Sequence, residues 1–293
     1  MLFGAIEAGG TKFVCAIGNE DGEVHEKVVI DTISPEVTMP KVMEFFQGKN
    51  IQALGVGCFG PIDVNKESPT YGYITSTPKI KWQQYNFVGE LEEKLHVPIA
   101  FDSDVNVAAL GEKLLGAGRD VNSCMYITVG TGIGAGYYVN GKTLSGISHP
   151  EMGHTLVLPH PKDQQFEGNC PFHGPNCLEG MAAGPAIEKR WGMKGVDLPQ
   201  DHVAWELEAY YLAQALMNFV MVVSPEKIVM GGGVMKQKQL FPFIYDALEE
   251  LLAGYLDFPQ LKKGNMKDYI VPPELGDEAG VKGALMSAVM LGG

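Results

Sequence analysis

The stretch Leu2-Phe3-Gly4-Ala5-Ile6-Glu7-Ala8-Gly9-Gly10-Thr11-Lys12-Phe13-Val14-Cys15-Ala16-Ile17-Gly18 sets two apolar runs on either side of a glycine pair. Leu2 to Ile6 reads as a strand, Gly9-Gly10 as a tight turn and Lys12 to Gly18 as a second strand, which makes a β-hairpin. A Walker loop or a dinucleotide fingerprint needs its glycines to lead into a helix, and here they lead into another strand. The device recurs. Cys124 to Val129 reads as a strand, Gly130-Thr131-Gly132-Ile133-Gly134 as a glycine-rich turn and Ala135 to Val139 as a strand, after which Asn140-Gly141 closes a further hairpin. Ile51 to Val56 is a short buried strand ending at Gly57, with Gly60-Pro61 close behind, and Lys227 to Met230 is another, ending at Gly231-Gly232-Gly233. Two half-chains, each with a hairpin, helices and a strand that ends in glycine, suggest an internal duplication in an α/β protein.

Helices fill the intervals. Val42 to Phe46, Phe87 to Leu95 and Val105 to Leu115 have apolar spacing near the helical period, and Pro185 to Trp191 carries proline in its first turn. Trp205 to Val223, Phe241 to Tyr255 and Ala279 to Leu291 complete the set. The most apolar stretch, Ala209 to Val223, is about 15 residues long and contains Gln214 and Asn218, whereas a membrane span needs about 20 apolar residues. It reads as a buried helix between lobes or across a dimer contact.

The 293 residues fit two lobes, and a 45% hydrophobic content gives ample apolar surface for a core. A net charge of −13 disfavours binding to nucleic-acid backbones, yet local backbone amides and Mg²⁺ can still hold a small anion such as ATP. No basic stretch followed by a long apolar run opens the chain, so no secretory signal is expected. Cys15, Cys58 and Cys124 stand alone in apolar segments and read as buried small hydrophobes. The odd cysteine count, five, argues for a reducing cytoplasm.

Three clusters carry chemistry. In Gly9-Gly10-Thr11-Lys12 the adjacent glycines let a backbone approach a ligand and expose successive amides, with a hydroxyl and a cation beside them. One such turn alone is also a plain hairpin turn; two of them, with Gly130-Thr131-Gly132, could grip a polyphosphate from both sides. Asp102-Ser103-Asp104-Val105-Asn106 lies where a strand, Ile99 to Phe101, runs into a helix. A carboxylate there can accept a proton from a substrate hydroxyl, while Ser103 or Asp102 caps or positions the turn. The third cluster is His149-Pro150-Glu151-Met152-Gly153-His154 followed by Cys170-x₂-His173-x₃-Cys177 and Glu179. Two thiolates and two imidazoles satisfy a tetrahedral structural Zn²⁺, with His160 competing with His154 as the fourth ligand. Glu151 and Glu179 flank that loop and could accept hydrogen bonds from sugar hydroxyls, or be ordinary solvated glutamates.

Taken in order, these pieces resemble the ROK family (repressors, open reading frames and kinases), in its bacterial fructokinase branch. The likeness runs from Gly4–Lys12 through Gly55–Asp63, Asp104–Glu112, Gly130–Gly136, His149–His154 and Ile228–Val234 to Gly276–Ala284. The resemblance implies an actin-like (ribonuclease H-like) duplicated ATPase fold, two lobes with a central cleft. The small lobe is expected over 1–117, joined by the C-terminal helix 279–293, and the large lobe, with the zinc loop, over 118–278. It implies ATP-dependent phosphorylation of fructose to fructose 6-phosphate with Mg-ATP, with mannose or glucose as alternative hexoses. Asp104 then matches the catalytic base. Ser103, Asp104, Glu151, His154, Glu179, Gly60 and Pro61 form the candidate sugar site. Gly9, Gly10, Thr11, Lys12, Gly130, Thr131, Gly132, Gly231, Gly232 and Gly233 form the candidate phosphate site. His154, Cys170, His173 and Cys177 match zinc ligands, one His154 nitrogen on the metal and the other toward sugar. A homodimer is expected, with no nucleic-acid or membrane partner.

Four positions depart from the family pattern. Glu7 stands where Asp is frequent, Ser103 where Asn is frequent before the base, Lys79 where glucokinase-like members place Asn after Thr-Pro, and His173 where glucose-specific members use a third cysteine. The set matches fructokinase-like members and points away from glucose. The family's repressors carry a helix-turn-helix ahead of the sugar domain, for which a hairpin starting at Gly4 leaves no room, so a repressor is not expected.

Overall fold

The computed structural model describes residues 1–262 and 264–292, so Gly293, the last residue of the expected C-terminal helix, lies outside the described residues. The opening hairpin forms as its sequence dictates: β1 (Phe3–Ala8) and β2 (Lys12–Gly18) pair antiparallel, Phe3 opposite Gly18 and Ala8 opposite Phe13. A third strand, β3 (Val24–Asp31), extends the hairpin, and α1 (Pro35–Phe46) follows it. Next come β4 (Leu54–Cys58), the short pair β5 (Tyr73–Ile74) and β6 (Tyr85–Asn86), α2 (Phe87–Leu95), β7 (Ile99–Ser103) and α3 (Asp104–Leu115). β4 pairs with β1, and β7 with β4, in parallel, as strands that return by long crossovers must. The resulting order is β3-β2-β1-β4-β7.

The second stretch repeats the plan. β8 (Cys124–Val129), β9 (Ile133–Val139) and β10 (Lys142–Thr143) run up and down, with positive φ at both Asn140 (53°) and Gly141 (83°) where β9 turns into β10. That is the backbone an Asn-Gly hairpin turn supplies. After the loop come α4 (Leu178–Ala182), α5 (Gly184–Trp191), α6 (Ala204–Val223), β11 (Lys227–Gly231), α7 (Leu240–Leu252), α8 (Met266–Tyr269), β12 (Ile270–Val271) and α9 (Ala279–Gly292). The second sheet has the order β10-β9-β8-β11-β12. Each sheet therefore places its third, second, first, fourth and fifth strands side by side, which is the duplication the glycine-terminated strands suggest.

By internal contacts the chain divides into one unit of Met1–Cys124, Gly136–Pro150 and the segment from Glu274 onward, and a second of Met125–Ala135 and Glu151–Pro273. Residues 136–150 thus group with the first unit rather than with an uninterrupted 118–278.

Alternation along β1 and β2 sorts the first unit's core into two layers. Ile6, Ala8, Phe13, Cys15 and Ile17 join Trp82, Phe87 and Leu91 on one face of the sheet, while Phe3, Ala5, Val14 and Ala16 meet Val107, Val281, Ala284 and Leu285 of α3 and α9 on the other. Burying each large side chain such as Trp82 or Phe87 contributes about 1.5–3 kcal/mol. An exposed ion pair such as Arg119–Glu274 contributes about 0–1 kcal/mol, so the apolar layers decide the fold. Two close approaches set α3 in place. A methyl at Gly57 of β4 would lie 2.2 Å from Val107 Cγ2, and one at Gly283 of α9 would lie 1.6 Å from the Val107 carbonyl oxygen. Only glycine lets strand, α3 and α9 come this near.

The structure departs from the expected elements in places. α1 begins at Pro35, well before Val42, because Ser34 and a proline at the first helical position start it and Pro40 interrupts the apolar period. The strand expected at Ile51–Val56 is Leu54–Cys58. β3 is an exposed edge strand whose mixed polarity hides it in the sequence. No helix among the described residues is long and apolar enough to cross a membrane; α6 packs against α4 and α7 of its own unit.

Candidate active site

The candidate residues fall into two sets, one in each unit. In the first, β7 feeds directly into α3. Ser103 is the N-cap, its hydroxyl accepting from the Asn106 amide at 3.2 Å, and Asp104 is the first helical residue. Asp104 Oδ1 accepts from the Val105 amide at 2.9 Å. A methyl on Gly57 would lie 3.3 Å from Asp104 Cα, so the end of β4 stands beside the carboxylate's backbone. Helix N-termini favour negative charge, and a carboxylate must carry that charge to accept a proton.

A polar network behind Asp104 escaped the sequence reading. Asp102 Oδ1 accepts from the Ser103 amide at 2.7 Å and from Asn106 Nδ2 at 2.8 Å, and its Oδ2 accepts from the Thr143 hydroxyl at 2.6 Å. Fully buried Asn106 also donates to the Leu144 carbonyl and accepts from the Tyr137 amide. Burial pushes the Asp102 carboxyl up, against the hydrogen bonds from Thr143, Asn106 and Ser103, which favour its charged form. Thr143, Leu144 and Tyr137 lie 31 to 41 residues from the Asp102 and Asn106 they bond, so no local motif announces them. Asp102 positions the turn, while Ser103 caps it.

The glycine hairpin is the other half of this set. The Gly9 amide donates to the Lys12 carbonyl at 3.0 Å, closing the turn. Among the described residues, Gly10 and Thr11 spend no amide N–H on another group of the chain. The Phe59 amide donates to the Ala8 carbonyl at 2.8 Å, which brings the Gly60–Pro61 step, a cis peptide, beside the hairpin. His149 belongs here and not to the metal cluster, because its Nε2 accepts from the Ile62 amide at 3.1 Å. Glu7 lies half-buried at the base of the hairpin, and desolvation pushes its carboxyl up to about 7.

The second set is held by β8, β9 and β11. The Gly130 amide donates to the Gly132 carbonyl at 2.9 Å and the Gly184 amide to the Gly130 carbonyl at 2.8 Å. Thr131 and Gly132, among the described residues, keep their amides uncommitted within the chain. A methyl on Gly130 would lie 3.8 Å from the Gly233 nitrogen, so the Gly130–Gly132 and Gly231–Gly233 turns are neighbours. Gly232 has φ +92°, and a side chain there would strike the Val129 carbonyl at 2.4 Å. Two adjacent turns with open amides form an anion-binding concavity.

Glu179 stands next to them. Its Oε2 accepts from the Ile133 amide at 2.9 Å, and its Oε1 lies 3.9 Å from His154 Nε2. The His154 amide donates to the Glu151 carbonyl, so a single 3₁₀ turn carries both residues. The other His154 nitrogen, Nδ1, lies 3.8 Å from Cys170 Sγ and 3.7 Å from Cys177 Sγ, while His173 Nδ1 is 3.6 Å from Cys170 Sγ. The four ligand atoms all fall within 4.8 Å of one another. A tetrahedral zinc with Zn–S of about 2.3 Å and Zn–N of about 2.0–2.1 Å needs neighbouring ligand atoms about 3.4–3.8 Å apart, so the donor set fits. His160 is occupied elsewhere, its Nδ1 accepting from the Lys162 amide and its ring edge-on to Tyr210. His154 is therefore the fourth member of the cluster.

A family model described as the ROK family matches residues 3–289. A protein of Pediococcus pentosaceus named fructokinase is 45% identical, covering 98% of each chain. A fructokinase of Streptococcus mutans is 44% identical over 94% of this chain and 93% of its own. Among solved structures, a ROK hexokinase from Thermus thermophilus superposes with a TM-score of 0.79 at 27% identity, covering 99% of both chains.

Proposed function

The chain belongs to the ROK family, with the duplicated α/β fold of its actin-like ATPases, and on that premise we propose that it is a fructokinase, moving the terminal phosphoryl group of ATP to the 6-hydroxyl of fructose. The observation that carries this reading is the 45% identity, end to end, with a protein named fructokinase. The site's chemistry agrees with it: a carboxylate at a strand-to-helix junction and glycine turns with open amides are what phosphoryl transfer requires.

Asp104 is the general base. The sugar hydroxyl gives its proton to the Asp104 carboxylate as its oxygen bonds to the terminal phosphorus. The bond from that phosphorus to the bridging oxygen breaks, and its electron pair leaves on ADP. The Ser103 cap and the Asp102–Asn106–Thr143 network fix the turn that carries Asp104, so little backbone reorganisation remains at the moment of transfer. Gly9, Gly10, Thr11, Lys12, Gly130–Gly132 and Gly231–Gly233 hold the polyphosphate, and Mg²⁺ accompanying ATP offsets its charge. Glu151, His154 and Glu179, with Ser103, Gly60 and Pro61, orient the sugar. His154, Cys170, His173 and Cys177 would hold zinc, which supplies rigidity behind the sugar-binding side chains. The enzyme acts as a cytoplasmic homodimer.

A coupled ADP-release assay with fructose, mannose and glucose at fixed Mg-ATP tests the reading. Fructose should give the highest kcat/KM. Release independent of any hexose, or a higher kcat/KM with mannose or glucose, would replace it. Light scattering at twice the chain mass tests the homodimer.

A further inference from the structure

Lys79 lies on a tightly anchored loop. Its amide donates to the Thr77 hydroxyl at 3.3 Å, its carbonyl accepts from the Trp82 amide at 2.8 Å, and Gln83 Nε2 clamps the Thr77 carbonyl at 2.8 Å. Thr77 and Trp82 are buried, and Trp82 packs against Phe13 and Phe59. The backbone of Lys79 is therefore fixed from both sides, and the reach of its side chain is set by that frame.

The side chain extends to the phosphate hairpin. A methyl on Gly10 would lie 3.1 Å from Lys79 Cε and 3.8 Å from its Nζ, with no other group within 4 Å. The ammonium lies 6.0 Å from the centroid of Phe59, the residue before Gly60-Pro61. Among the described residues it has no carboxylate within ion-pair distance. A half-buried cation with a ring beneath it and no carboxylate partner is available to an anionic ligand. Its neighbours identify that ligand. On one side is the Gly10 turn, whose amide is uncommitted, and on the other is the loop carrying the candidate sugar residues Gly60 and Pro61.

We propose that Lys79 binds the phosphoryl group in flight: its ammonium pairs with the terminal phosphate oxygens of ATP and neutralises them as the bond to the bridging oxygen breaks. The proposal rests on the kinase reading above. It assigns Lys79 to phosphate rather than to sugar, and it makes Lys79 distinct from exposed Lys12, which sits on the hairpin strand itself. A point charge suffices for this task, so arginine is a partial substitute.

The test uses Lys79→Met, Lys79→Gln and Lys79→Arg in the full chain. Fructose-dependent ADP release gives kcat and KM, and fluorescence titration gives affinities for ADP and for a non-hydrolysable ATP analogue. Loss of one preorganised donor should lower kcat about 10²-fold in the Met and Gln variants. Affinity for the ATP analogue should fall about tenfold, while affinity for ADP, which lacks the terminal phosphate, stays within about twofold. The Arg variant should recover most of the turnover. Unchanged ADP affinity also reports that the variants fold, and two neutral replacements guard against one that does not. Equal weakening of ADP and ATP analogue, a kcat within about threefold of the parent, or a defect confined to the KM for fructose would overturn the proposal. If the parent protein itself shows no fructose-dependent ADP release, the kinase reading fails. The ADP-against-analogue comparison then still decides whether Lys79 senses a terminal phosphate.

Discussion

Replacing Glu7 by Gln should flatten part of the pH dependence of stability. Glu7 is half-buried on β1, and the Val281 amide at the start of α9 hydrogen-bonds to it. Burial raises its carboxyl from the ordinary 4.5 to about 7, with Asp277 reinforcing and Lys12 and Lys27 opposing. The folded chain therefore binds a proton between those values more tightly than the unfolded chain does. This contribution to stability is present in full below about pH 4.5 and is lost as pH rises toward and through about 7. A shift of that size corresponds to about 3 kcal/mol in total, of which about 2.5 kcal/mol falls between about pH 5 and pH 8.5. Glutamine is isosteric and does not titrate. Any constant cost of seating its amide cancels when the difference between the two proteins is followed against pH, as do the raised carboxyls of Asp102 and Glu208, which both proteins share. Urea unfolding at half-unit pH steps should show the Gln variant gaining about 2–3 kcal/mol on the parent across that window. A difference that stays level within about 0.5 kcal/mol, or that moves in the parent's favour, would refute the argument that desolvation of Glu7 outweighs what Val281, Lys12 and Lys27 supply.

Three further outcomes are expected. Asp104→Asn should lower kcat by about 10²–10⁴-fold with fructose affinity, measured calorimetrically, nearly unchanged; near-normal turnover would remove Asp104 as the base. Cys177→Ser should reduce bound zinc and lower the melting temperature, and metal analysis finding unchanged zinc would take Cys177 out of the ligand set. Gly283→Ala puts a methyl 1.6 Å from the Val107 carbonyl and should cost about 1–3 kcal/mol or more on thermal unfolding; an unaltered melting temperature would mean that α3 and α9 do not pack this closely.

The legible parts of the fold were those whose signal is local. α2 spans Phe87–Leu95 as its spacing dictates, capped by Asn86 in front and by His96 in the left-handed region behind. Both hairpins follow from glycines between apolar runs. β3 was illegible because an edge strand needs only one buried partner face, and Val24–Asp31 alternates weakly. In the site, Cys170-x₂-His173-x₃-Cys177 announced itself by spacing, and between the two candidate fourth members the structure places His154, not His160, in the cluster. Asp102, Asn106, Thr143 and Lys79 act through contacts between segments far apart in the chain, and no window of neighbouring residues contains that information. Glu112 is the same kind of case. Completely buried on α3, its carboxylate accepts the amides of Ala117, Glu274 and Leu275, tying the end of its helix to the segment that leads into α9.

Glu179 has a consequence for the cell. One of its oxygens holds the Ile133 amide at the edge of the Gly130–Gly132 turn, and the other faces the imidazole whose far nitrogen meets the thiols. A chelator or oxidant that disturbs Cys170 or Cys177 would thus tug, through two side chains, on the glycine loop proposed to hold ATP. With the roles proposed above for these residues, metal starvation would weaken the hold on sugar and on nucleotide together.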